Sequence, residues 1–119
     1  MPEPASLSHV VHRAVEVCDP EGTHAGPAEL LARFEDRDEP ITAVADVGDQ
    51  LEEARRRIDP EGDDPALTMA AAVVVYLAHR RDEIEDERES ILRLAARSEF
   101  DGDPPAPVAE WLAAEGVET

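Results

Sequence analysis

A chain of 119 residues with 29 acidic against 11 basic side chains carries a formal charge of −18 on 13.0 kDa, and its size suits one domain around one core. Every basic residue is Arg, and Lys and Asn are absent. The 42% of hydrophobic residues fall in helical periodicity and exclude disorder of the whole chain, while the longest apolar run, Ala66 to Ala78 broken by Thr68, is short of the ~20 residues a bilayer span needs.

The first expected helix runs over 6–18, with a Ser cap and the apolar set Leu7, Val10, Val11, Ala14, Val17 and Cys18 at helical spacing. Asp19-Pro20-Glu21-Gly22 stops it. A second helix is expected over 27–37, opened by Pro27 and buried through Leu30, Leu31 and Phe34. The third, over 40–58, opens at Pro40 and shows the stripe Ile41, Val44, Gly48, Leu51 and Ile58. The turn Asp59-Pro60-Glu61-Gly62-Asp63-Asp64-Pro65 ends it.

From residue 66 the pattern is helical to 97, a rod of about 48 Å at ~1.5 Å per residue. That exceeds a domain of this size, so a kink or break near 80–82 is expected. The first half of this element, Ala70 to Ala78, is apolar on every side and should be the central helix of the fold. The second half is amphipathic through Ile84, Ile91, Leu92 and Ala95. A Pro- and Asp-rich strap follows, then a last helix over 107–115 that docks through Trp111 and Leu112. Residues 1–5 and 116–119 are expected to be loose ends, and no internal repeat is evident. The fold class is therefore all-α, a single-domain bundle of four to five helices around one apolar helix.

The coat has its own physics. In ordinary buffer charges feel one another across a Debye length of about 8–10 Å, and at 1 M salt across only about 3 Å, so this density of carboxylates fits a salt-loaded solvent. The opening Met-Pro-Glu-Pro-Ala lacks the basic start and apolar centre of a signal peptide, and with the lone Cys18 this suggests a cytoplasmic setting.

Candidate chemistry is sparse. His9, His12, Cys18 and His24 have zinc-ligand identities, but helical phase sends the histidines to the polar face and Cys18 to the core. No signature of a nucleotide loop, serine hydrolase, dithiol or zinc protease occurs, and no cofactor is expected. Arg55-Arg56-Arg57 and Arg80-Arg81 are the basic clusters, each beside acidic residues, which disfavours a nucleic-acid partner. Arg55, Arg81 and Arg88 fall on apolar sectors, as rim cations reaching out of the core or as an anion site.

Asp49 with Glu52 and Glu83 with Asp86 are carboxylate pairs one turn apart. They resemble the E-x-x-E and E-x-x-D pairs of all-α NTP pyrophosphohydrolases of the MazG type, which implies a metal-dependent nucleotide hydrolase as the alternative function. They depart from that pattern in having Asp49 first, a long gap between pairs, and Asp49 turned from the apolar stripe. In composition, and in phrases such as Asp59-Pro60-Glu61-Gly62-Asp63-Asp64-Pro65, the whole chain resembles small acidic proteins of halophilic archaea, which implies a KCl-rich cytosol and carries over no active site.

The first reading is therefore a non-catalytic helical interaction or regulatory module. Coverage of the helix at 66–78 looks incomplete within one chain, so a homodimer through Ala71, Val73, Val75 and Tyr76 is expected.

Overall fold

The computed structural model describes residues 5–80 and 83–117. Six α-helices occur among them: α1 Leu7–Cys18, α2 Ala25–Phe34, α3 Val47–Ile58, α4 Pro65–His79, α5 Arg88–Phe100 and α6 Ala106–Ala114. The all-α bundle is as expected, with one helix more than the four or five anticipated. Asp64 caps α4 by accepting from the Leu67 amide at 3.2 Å, and Pro65 supplies the first turn, where a missing N–H costs nothing. Each of the other five helices packs against α4. Leu67, Met69, Ala70, Val73, Val74 and Leu77 are fully buried, at about 1.5–3 kcal/mol for each large aliphatic side chain.

Several boundaries differ from the sequence expectation. The second helix starts earlier and ends at Phe34, so Pro27 stands in the third helical position. The third helix does not begin at Pro40. Residues 41–43 form one 3-10 turn, and α3 opens at Val47 behind Asp46, whose carboxylate accepts from the side-chain amide of Gln50 at 2.8 Å. The competing demand is α1. Its orphan amides at Leu7 and Ser8 donate to the carbonyls of Glu39 and Arg37 at 2.9 and 2.8 Å, and Ile41 N–H donates to Ala5 O at 2.8 Å, which keeps this strap extended.

The expected 66–97 rod breaks into α4 and α5. Such a rod would outrun the body, whose longest dimension is 40 Å. The charges suit a break: Arg80 and Arg81 follow His79, favourable at a helix C-terminus, and the acidic residues that come next precede α5, favourable at a helix N-terminus. Arg13 on α1 then holds the linker, donating from Nε to Ile84 O and from a terminal nitrogen to Asp86 O, both at 2.8 Å. Ile84 itself is buried. Arg81 and Asp82, named above, lie outside the described residues.

A repeat is present after all. Asp-Pro-Glu-Gly stands at 19–22 and again at 59–62, joining α1 to α2 and α3 to α4 in the same way. In both turns the Asp amide donates to a carbonyl four residues back, Val15 O at 2.7 Å and Arg55 O at 2.8 Å. The Asp backbone is pushed off the helix by the following proline. Gly22 and Gly62 close the turns at φ of 65° and 70°, a region that favours glycine. Of the expected loose ends, Ala5 is tied to Ile41 and Val117 is buried with its amide on Leu112 O at 2.9 Å. Residues 1–4 and 118–119 lie outside the described residues.

Candidate functional site

The two expected carboxylate pairs do not assemble. Glu52 is held by Arg55 and Arg56 at 2.9 and 3.2 Å, and the Arg55 guanidinium beside it keeps its carboxyl below the usual range. Glu83 accepts from the Tyr76 hydroxyl, while Asp49 and Asp86 are exposed. Among the described residues no group of three or more His, Cys, Asp or Glu side chains is placed to hold a metal ion. The geometry therefore gives the nucleotide-hydrolase alternative no support. His9, His12 and His24 are exposed, whereas Cys18 is fully buried and burial pushes its thiol far above the ordinary range, so it stays a neutral hydrophobe.

The four expected interface residues divide. Val73 is fully buried inside its own chain and Ala71 is 8% exposed, so neither offers a face to a second copy. The reason is that α1, α2, α3, α5 and α6 cover α4 more completely than stripe counting allowed. Val75 and Tyr76 remain half-buried. Ala71 and Val75 line a narrow cleft of about 50 Å³ between α3 and α5. Burial, and then the hydrogen bond to Glu83, push the Tyr76 phenol up to about 12.

Of the arginines on apolar sectors, Arg55 pairs with Glu52 and Arg88 is structural. Arg88 Nε donates to Val17 O at 2.5 Å, satisfying a carbonyl at the end of α1, and its terminal nitrogen meets Glu115 at 2.6 Å. With Asp19 and His24 it walls a polar cleft of about 290 Å³. Its guanidinium is committed to these partners, and the acidic groups beside it do not form a cation site.

Where α2 meets α3 the packing makes a different kind of place. Arg33, Arg37 and Arg57 converge on an open groove of about 250 Å³ whose floor is Phe34 and Ala54 and whose wall is Gln50 and Glu53. Phe34 is buried and anchors the floor, and the Arg37 guanidinium lies over its ring at 5.7 Å from the centroid. Arg37 also grips Glu39 at 2.9 Å and Gln50 Oε1 at 3.1 Å. Arg57 pairs with Glu53 at 2.8 Å on the solvent side. Arg33, in the last turn of α2, is exposed.

Sequence reading marked Arg57 only as part of a basic triplet and passed over Arg33 and Arg37. Their spacing of one helical turn around Phe34 is the signal available beforehand. It points nowhere until α3 supplies the third guanidinium.

A scan of the chain against protein-family models finds no match, and searches of curated proteins and of solved structures find none either.

Proposed function

We propose that the chain is a non-catalytic helical interaction module that takes an anionic ligand in the groove between α2 and α3. The observation that carries this reading is the convergence of Arg33, Arg37 and Arg57 on one concave surface of a body with a net charge of −18. Guanidinium is planar, always charged and weakly hydrated, and it matches carboxylate or phosphate oxygens two at a time. Three such groups around a cavity make a receptor for an anion with several oxygens. Among the described residues nothing comparable gathers a nucleophile, a base and an acid, which supports binding over catalysis.

The acidic coat supports work in a salt-rich cytoplasm, where long-range attraction is screened within about 3 Å at 1 M salt. Direct hydrogen-bonded contact then has to provide the affinity, and the groove is built for contact. Of the four residues expected to carry association with a second copy through α4, Val75 and Tyr76 keep accessible surface.

Titration calorimetry with inorganic pyrophosphate tests the proposal. The wild-type chain should bind with saturable heat, and the double variant Arg33→Gln, Arg57→Gln should bind at least about tenfold more weakly, as loss of two charge-assisted contacts requires. Equal binding by both proteins would move the site elsewhere.

A further inference from the structure

One of the three guanidinium groups that line the groove is already engaged by the chain itself. Arg37 Nε donates to both carboxylate oxygens of Glu39 at 3.2 and 3.0 Å, and a terminal nitrogen meets Glu39 Oε2 at 2.9 Å. Both nitrogens meet the same oxygen, Oε2, so Glu39 occupies the edge of the guanidinium that an incoming carboxylate or phosphate would use. The strap bearing Glu39 is fixed on its other side, because Glu39 O accepts the Leu7 amide and Arg37 O the Ser8 amide at the start of α1. The Glu39 side chain is thus free to leave Arg37 without any change in the backbone. The pair is part-exposed, with both side chains 37% accessible, so it opens at little cost.

Resting on the proposed anion site, we infer that Glu39 is a built-in competitor for Arg37, and that the groove selects a phosphate-bearing anion of about diphosphate size over a simple carboxylate. A carboxylate from solution repeats the contact Glu39 already makes, and it does so without the advantage of being tethered two residues away. A diphosphate brings more charge and more oxygens. It spans from Arg37 to Arg33 and Arg57 at once, contacts that Glu39 cannot offer. The cavity, about 250 Å³, lies just below the usual range of roughly 300–1,000 Å³ for small-molecule clefts, which suits such a group.

Glu53 plays a lesser part of the same kind toward Arg57. That pair is two-thirds exposed at both ends and yields more readily. Glu39 is held below the usual carboxylate range by its own backbone amide and by Arg37, so it stays charged, and competitive, throughout the neutral range.

The test compares four proteins, wild type, Glu39→Gln, Glu39→Ala and Asp38→Asn, titrated with pyrophosphate and with acetate at constant ionic strength. Asp38→Asn removes the same charge one residue away, and the structure gives Asp38 no contact with Arg37. Glu39→Ala should bind pyrophosphate about three- to fivefold more tightly than wild type, with Glu39→Gln between them, the effect of releasing one part-exposed ion pair. Asp38→Asn should stay within about 1.5-fold, as a screened charge does. Acetate should bind wild type more weakly than pyrophosphate and should gain most from Glu39→Ala. If wild type binds pyrophosphate but the Glu39 variants match Asp38→Asn, the competitor role is wrong and the groove stands. If none of the four binds either anion, both the competitor role and the anion site fall.

Discussion

Asp19 offers the sharpest test of how the helical frame is held. Its carboxylate is 6% exposed and turns back over the first Asp-Pro-Glu-Gly corner, accepting from the Thr23 and His24 amides at 3.0 Å each. Among the described residues the Asp59 carboxylate at the second corner accepts the Asp64 amide alone, at 2.8 Å, and Asp59 is more exposed. A hydrogen bond to a charged group contributes roughly 1.5–3 kcal/mol, less where water can replace the partner. Asp19→Ala should therefore cost about 3 kcal/mol and Asp59→Ala about 1–1.5 kcal/mol. For a body of this size that is a Tm loss of roughly 10–15 °C against about 4–6 °C.

The effect must also carry a pH signature. Burial raises the Asp19 carboxyl, but the His24 and Thr23 amides outweigh it and leave the group below its ordinary value. A folded-state value below the unfolded one, near 3.9, means the contribution is complete above that pH and lost as pH falls through the folded value. The Tm gap between wild type and Asp19→Ala should be flat from about pH 5 to 8 and close below about pH 4. Thermal melts by circular dichroism at 222 nm provide the data. Equal losses at the two corners, or a gap that persists in acid, would refute the role given to the carboxylate.

Gly26 on α2 faces the start of α4 so closely that a Cβ would stand 2.1 Å from Asp64 Oδ2. Gly26→Ala, which in an open helix stabilises by about 0.5–1 kcal/mol, should here lower stability by about 1 kcal/mol through loss of the Asp64 cap, and a raised Tm would contradict the close approach. Val73→Glu buries a charge and should abolish the cooperative melt, whereas Val75→Glu should cost about 1 kcal/mol or less because a half-buried site lets the carboxylate reach water; similar effects at the two positions would mean α4 is not covered as described. Dialysis from 2–3 M KCl into ~20 mM buffer should lower helicity and Tm as the Debye length lengthens past the spacing of the coat, and an unchanged melt would remove the case for salt adaptation.

Much of the frame is legible in the sequence because the rules that govern it are local. The Ser6 cap, Pro65 at a helix start and the all-round apolar face of α4 each express a propensity visible within one turn or two. The break before α5 is another matter. No Pro or Gly marks it, and the group that fixes it, Arg13, lies 71 residues away from Ile84. Arg13 reads from sequence as a polar-face cation. The late start of α3 likewise depends on amides of α1 that need carbonyls from the 37–39 strap.

The repeated corner was in the sequence, but the helices flanking it share spacing rather than identity, so similarity by eye fails. The groove is the least legible feature. Arg33 lies on α2, Arg57 on α3 and Arg37 in the strap between them, and each segment taken alone carries ordinary solvated cations. Only the packing of α2 against α3 gives them a common ligand volume.

The central claim is that this groove is where the molecule meets its ligand. A ¹H–¹⁵N correlation spectrum of the full chain, titrated with pyrophosphate in molar KCl, addresses it residue by residue. The account requires saturable shifts confined to Arg33, Arg37, Gln50, Glu53 and Arg57 and their immediate neighbours, including the side-chain amide of Gln50. Shifts clustered instead around Asp19, His24 and Arg88, or a spectrum that does not move at millimolar pyrophosphate, would contradict it.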